Sequence, residues 1–300
     1  MSKKWWSLTI VFVLVMGLLA GCGEKKEGAA STAPSASEAP SAAASESPAA
    51  EKVEGSVTAS GSTALQPLVT LAGDKFMGIH SEVDVKVTGG GSGTGVKNVA
   101  GGVSDIGNSD VTADDQYKDQ LVDHVVAVAP FVLIVSKDVT VDDLTKQQAA
   151  DIFSGKITNW KEVGGEDKAI NLIHRQESSG SRKLVKKIIL DGGEFATGGV
   201  TQESSKTVAQ AVSQGTGAIG YVDAPYVSDQ VKGLKLDGAE YTKENIASGK
   251  YILYGIEHMY TKGEPQGAVK AFLEYIMSKD FIESAEVEKM GFLPADLVKQ

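Results

Sequence analysis

From residue 53 onward, apolar and polar positions recur with periods that divide the chain into alternating strands and helices. Val53 to Ala59 reads as a strand, closed by Ser60-Gly61-Ser62-Thr63. Leu65, Leu68, Ala72 and Phe76 then fall at helical spacing. Pro67 sits in the first turn, where a missing N–H does little harm, and Ser62 or Thr63 stands in the N-cap region. Val83 to Val87 reads as a second strand. The glycine-rich stretch from Gly89 to Gly95 follows, then a short helical run from Val96 to Ala100. A polar helix is expected from after Asp110 to about Gln120. The apolar run Val125 to Val135 reads as a buried strand, but Pro130 disfavours one unbroken central strand and suggests a crossing between two lobes. Ile152, Phe153, Ile157 and Trp160 read as core. A strand over Ala169 to His174 leads into Arg175-Gln176-Glu177-Ser178-Ser179-Gly180-Ser181, and a helix follows with Leu184, Val185, Ile188 and Ile189 on one face. A helix over Lys206 to Gln214, a buried strand near Ala218 to Val222 and a second apolar crossing, Tyr251 to Tyr260, come next. Two amphipathic helical stretches, Ala268 to Met277 and Phe281 to Met290, end at Gly291-Phe292-Leu293-Pro294.

The first 52 residues have a different pattern. Lys3 and Lys4 precede an apolar run, Leu8 to Leu18, that is short for a membrane span, and Leu19-Ala20-Gly21-Cys22 follows it directly. This resembles the bacterial lipobox. The resemblance implies a signal peptide over residues 1–21, cleavage before Cys22 and lipidation of that cysteine. Residues 23–52 are Ala, Ser, Pro, Glu and Lys without apolar period, a disordered tether. Such a chain spans about 30 Å on average.

The chain has 300 residues, 42% hydrophobic and 23% charged, room for one large or two small domains. Its net charge of −10 argues against nucleic acid as a partner. It does not argue against a small-anion site, because a few buried donors act locally. One cysteine, Cys22, excludes an intrachain disulfide. The four histidines, His80, His124, His174 and His258, show no ligand spacing, so neither a metal nor another cofactor is expected.

Three strand-to-helix junctions carry the candidate chemistry: Ser62–Ala64, Gly89–Gly95 and Ser178–Ser181. Helix N-termini offer unpaired N–H groups and partial positive charge, and hydroxyls donate without adding charge. Together they form an anion cradle. Each has an ordinary counterpart: a glycine turn, a helix-capping Asp110, a solvated Arg175. Yet Arg175 also has the fork that grips two oxygens of a phosphate-like group. Neither nucleotide-binding glycine pattern fits, since Val96 stands where a Walker loop needs lysine. A hydrolase elbow fails as well, because Gly90-Gly91-Ser92-Gly93-Thr94 lacks the final glycine. An enzyme is therefore not expected.

Several stretches together resemble the substrate-binding lipoproteins of bacterial phosphate ABC importers: SGSTALQPL at 60–68, GGGSGTGVKNVAGGVSDIGNSD at 89–110, DIFSGKITNWKEVGG at 151–165, RQESSGSRKLV at 175–185 and GAIGYV at 217–222. The resemblance implies an α/β, two-lobed periplasmic-binding-protein fold of type II with the ligand in the inter-lobe cleft. It places lobe I at 53–127 and 256–300, and lobe II at 128–255. It gives phosphate-facing roles to Ser62, Thr63, Ala64 and Ser92, an acceptor role to Asp110, pairing with the ligand to Arg175, and donor roles to Ser179, Gly180 and Ser181. Ser178 stands where the family often has glycine, and Ser181 where it often has threonine. The implied partners are inorganic phosphate, an ABC permease and ATPase complex, and the membrane through a lipid anchor. A monomer outside the cytoplasm is expected.

Asp110 then acquires a mechanism. An ionised carboxylate only accepts hydrogen bonds, and phosphate retains a proton to donate while sulfate does not. Competing readings are a binder of sulfate or molybdate, and a surface adhesion or signalling protein on the same fold.

Overall fold

The computed structural model describes residues 52–298; the expected signal peptide, Cys22 and all but the last residue of the tether lie outside the described residues. The first half of the body winds β1 (Gly55–Gly61), α1 (Gln66–Ile79), β2 (Val83–Thr88), α2 (Ser92–Ala100) and β3 (Ile106–Ser109) into a parallel unit. Its strands stand in the order β2-β1-β3. Parallel pairing directs the C-terminal ends of these strands, and the N-termini of the helices that follow, to one edge.

A single turn, α3 (Asp115–Lys118), leads to β4 (Val122–Val135), the longest strand described. Beyond it lie β5 (Asp143–Leu144), α4 (Lys146–Phe153), β6 (Asn171–Arg175), α5 (Gly180–Ile188), β7 (Val200–Gln202), α6 (Ser205–Gln214) and β8 (Ala218–Asp223). In this second half β6 lies between β7 and β8, parallel to both. The short β9 (Lys232–Gly233) and β10 (Lys235–Leu236) and α7 (Lys243–Ala247) precede β11 (Tyr254–Thr261), which returns to the first half. There α8 (Gly267–Ile276), α9 (Lys279–Ile282) and α10 (Ala285–Met290) complete the fold.

The halves are joined through β4. Its segment Val122–Pro130 pairs antiparallel with β11, and its segment Phe131–Val135 pairs antiparallel with β8. Pro130 therefore does not break the strand, contrary to the expectation from its ring. It stands at the change of partner, where a missing donor costs the ladder least. The adjacent amides are occupied: Phe131 N–H donates to the Leu253 carbonyl at 2.9 Å, and Val128 exchanges two hydrogen bonds with Leu293 at 2.8 and 2.9 Å.

The apolar faces read from the sequence are buried. Leu68, Ala72 and Phe76 of α1 pack toward α8, with the Phe76 and Phe272 rings 5.5 Å apart. In the second half, Val132 and Ile134 of β4 meet Val208 and Val212 of α6. Each of these Val, Leu, Ile and Phe side chains stabilises the fold by about 1.5–3 kcal/mol on full burial.

Four local expectations need correction. Helix α2 begins at Ser92, not Val96, so Gly93, Thr94 and Gly95 lie inside it. The polar helix after Asp110 is one turn, because Val111 and Thr112 stay outside it and Asp114 takes the N-cap position. The C-terminal region forms three helices where two stretches were expected; Ser278 caps the second, and Gly291 ends the last in the left-handed conformation. Finally, Ser62 does not cap α1 itself, whose N-cap is Leu65. Its hydroxyl caps the turn just before, accepting from the Ala64 and Leu65 amides at 3.0 Å each.

Candidate functional site

The three strand-to-helix junctions converge where the halves meet, and all nine residues singled out there are buried. Ser62, Thr63 and Ala64 follow β1, and Ser92 opens α2. Asp110 follows β3 directly, Arg175 ends β6, and Ser179, Gly180 and Ser181 begin α5. Parallel strand order brings them together, since each lies at the C-terminal end of a strand or at the start of the next helix.

Asp110 is the centre of one hydrogen-bond set. Ser62 donates its hydroxyl to Asp110 Oδ1, and Ser181 donates to Oδ2 at 3.2 Å. The Asp110 amide donates to Ser92 Oγ at 3.0 Å. These contacts span the halves, because Ser181 comes from α5 and the others from the first half. Asp110 is thus no helix cap. Burial pushes its carboxyl up, while the Ser62 hydrogen bond and the Arg175 charge oppose that shift. Asp105, the other acid of the same stretch, is exposed. It binds the Thr58 amide at 2.8 Å and the Thr58 hydroxyl at 2.6 Å, tying β1 to the start of β3.

Arg175 is the centre of the second set. One terminal nitrogen donates to Ser205 Oγ at 3.2 Å and Ser181 Oγ at 3.4 Å; the other donates to Thr63 Oγ1 at 3.0 Å and the Glu203 carbonyl at 3.2 Å. Thr63 also accepts from the Ser205 amide at 3.1 Å, and its carbonyl accepts from Tyr226 Oη at 3.0 Å. Arg175 is therefore not the solvated charge its residue type alone would allow. Burial lowers its pKa, and Asp110 is the first of the groups that oppose the shift.

The glycine-rich stretch lets two backbones meet. Gly91 has φ of 88°, a left-handed conformation that favours glycine, and a β-carbon there would stand 2.9 Å from the Ser178 carbonyl oxygen. Beside it, the Gly93 amide donates to that same carbonyl at 2.9 Å. Gly180 is constrained likewise, since an added β-carbon would press on Ser92 Oγ and stand 2.7 Å from Asp110 Oδ2. Ser178 needs no left-handed conformation, so serine replaces glycine there without backbone strain. Ser179 is the N-cap of α5, and its hydroxyl accepts from the Arg182 amide at 3.2 Å.

Sequence reasoning missed four polar residues: Ser205, Tyr226, Asp223 and Glu257. Asp223 and Glu257 are fully buried, and none of their carboxylate oxygens has a donor partner. Burial drives both pKa values well up, and the Asp110 charge adds to each. The available signal was a lone acid in each strand: Asp223 after Gly220-Tyr221-Val222, and Glu257 between Ile256 and His258.

Chemically, the site offers one forked cation, one fixed acceptor and a ring of hydroxyls and helix-start amides. Among the described residues no cluster of three or more His, Cys, Asp or Glu side chains could hold a metal ion, and no helix is long and apolar enough to cross a membrane.

Residues 37–280 match the family described as the PBP superfamily domain. The chain is 40% identical over 303 residues to the phosphate-binding protein PstS of Bacillus subtilis, covering all of this chain and 97% of that one. It is 27% identical over 253 residues to the phosphate-binding protein PstS of Borreliella burgdorferi, covering 79% and 89%. Among solved structures it is similar to a candidate phosphate ABC transporter substrate-binding protein with bound phosphate from Clostridium perfringens. There the TM-score is 0.74 and the identity 31%, covering 82% of this chain and all of that one. It is also similar to an ABC-type phosphate transport receptor from Vibrio cholerae, with TM-score 0.64, 26% identity, and coverage of 79% and 99%.

Proposed function

The chain belongs to the PBP superfamily, and on that premise we propose that it binds inorganic phosphate outside the cytoplasm and delivers it to an ABC importer. It is a receptor and not an enzyme. The observation that carries this reading is the buried Arg175 fork beside a buried Asp110, surrounded by the hydroxyls of Ser62, Thr63, Ser181 and Ser205. A dianion needs the cation and the neutral donors. A dianion that still carries a proton also has a use for the carboxylate.

In the proposed mechanism Arg175 turns its N–H groups from Thr63, Ser181 and Ser205 to two phosphate oxygens. The amides at the start of α5, at Gly180 and Ser181, and that of Thr63 face further oxygens, where the helix dipole favours negative charge, and the Ala64 amide turns from Ser62 Oγ to join them. Ser62, Ser92 and Ser179 keep the three junctions in register and offer hydroxyls. Asp110 accepts a hydrogen bond from the protonated phosphate oxygen. Fully ionised sulfate would present a lone pair to that buried carboxylate, and a site built around such a hydrogen bond rejects an isostere by roughly 10⁴–10⁵.

The halves act as lobes I and II, hinged where β4 and the approach to β11 change partners. Cys22 is the proposed lipidation site, so that residues 23–52 tether the monomeric body to the membrane. The permease and ATPase then draw phosphate from the closed form.

Calorimetric titration of the protein, stripped of bound anion, with phosphate and separately with sulfate tests this reading. Tight one-to-one phosphate binding without sulfate heat is expected. In Asp110→Ala the preference for phosphate collapses; equal discrimination in that variant overturns the acceptor role.

A further inference from the structure

Antiparallel pairing sets His258 of β11 opposite Ser109 of β3; Glu257 and Asp110 are the chain neighbours of that last pair, and β11 is irregular between Glu257 and His258. Both residues are buried, and their carboxyls act directly on each other. Two carboxylates in that relation cannot both be ionised in a buried site, so one proton lies between them. Their other partners decide where it resides. Asp110 accepts from Ser62 and Ser181 and faces the Arg175 charge. Both Glu257 oxygens lack a donor partner. The other titratable group that acts on it is a carboxyl too, Asp223 at the end of β8. Its strand partner in β4 is Ala127, and from α5 a Leu184 methyl stands near the Gly255 position beside it.

We propose that Glu257 is a positioning residue of the anion site: it is held neutral, donates its proton to Asp110, and thereby keeps Asp110 as the charged acceptor for the ligand. This rests on the phosphate reading above. An ionised carboxylate has about four acceptor positions. Ser62, Ser181 and Glu257 fill three of those on Asp110. The remaining position is the one the phosphate proton takes. Glu257 thus limits how many donors the ligand is allowed to bring, without touching it.

The test compares the parent with Glu257→Gln, a neutral donor of the same shape, and Glu257→Met, which has similar length and no donor. Infrared difference spectra at pH 7 should show a protonated-carboxyl band in the parent that is missing from both variants. Phosphate affinity should stay within about threefold of the parent in Glu257→Gln and fall roughly ten- to hundredfold in Glu257→Met. A parent lacking the band at the Glu257 difference overturns the proposal. So does a Glu257→Gln variant as weak as Glu257→Met, or a Glu257→Met variant as tight as the parent. A parent that binds no phosphate overturns the functional reading alone, and the infrared band still decides where the proton resides.

Discussion

Arg175 carries a full charge where water does not reach, and four neutral oxygens solvate it in place of water. Lysine cannot reproduce that fork. Truncating one partner of a buried charge pair costs about 2–5 kcal/mol, so Arg175→Lys should weaken phosphate binding by at least roughly thirtyfold. Calorimetry reads the loss directly, and the rise in melting temperature on adding phosphate should shrink in parallel. A second residue tests the electrostatics away from the anion. His174 is buried against Phe153 and Phe195, and neither ring nitrogen has a partner. Burial, with the nearby Arg182 charge, lowers its pKa to about 4. The folded state therefore binds fewer protons here than the unfolded state between about pH 6.5 and pH 4. The associated stability is present above that window and is lost as the pH falls through it. Urea denaturation across this range should show a shallower acid-side loss for His174→Phe than for the parent. Asp110 and Arg175 are legible in the sequence because each is a charge next to a Ser- and Gly-rich junction. Glu257 and Asp223 are not, because the burial of an acid depends on which strands become neighbours, and that is a tertiary fact.

Helices α1, α2 and α5 start differently. Only α5 has a side-chain cap, from Ser179; α2 starts from a left-handed Gly91, and α1 is preceded by a turn that Ser62 caps. All three were legible as glycine- and serine-rich junctions, yet their exact starts were not. From sequence alone α2 is expected from Val96, because the four residues of Ser, Gly and Thr before it look like a loop by propensity. Packing overrides that preference: a β-carbon on Gly95 would stand 2.6 Å from the Ser60 carbonyl oxygen, so the helix uses glycine to approach β1 closely. Gly180 performs the corresponding role for α5, but its close neighbours, Ser92 and Asp110, belong to the opposite half. Gly180→Ala should therefore leave the unliganded fold intact, because the open form relieves the clash. It should weaken phosphate binding by about 1–3 kcal/mol, the usual cost of overpacking. Equal melting temperatures with unequal affinities would mark the substitution as an obstacle to closure and not to folding.

Across the molecule, the sheet runs unbroken through both halves, and β4 is the strand they share. From sequence alone Pro130 disfavours one unbroken central strand and suggests a crossing, because the missing donor is visible there and the change of partner is not. That same change of partner is where rotation of one half on the other disturbs the fewest hydrogen bonds. Across the cleft, Lys183 of α5 also pairs with Asp114 at 3.1 Å. Small-angle scattering should show a smaller radius of gyration with phosphate than without. A radius unchanged by saturating phosphate would count against hinge closure.

The backbone contact between Gly93 and the Ser178 carbonyl has a kinetic side. On the proposed reading this seam lies beside the anion and is made mainly of main chain, with the Ser178 hydroxyl also reaching the Gly90 carbonyl at 3.4 Å. An anion bound as proposed would leave only when the halves separate. The residence time is then set by the frequency of opening, whatever the number of hydrogen bonds inside. Two variants with equal affinity can hold the anion for very different times if one of them changes the seam. A transporter that draws the halves apart would shorten that time without touching a single residue that binds the anion.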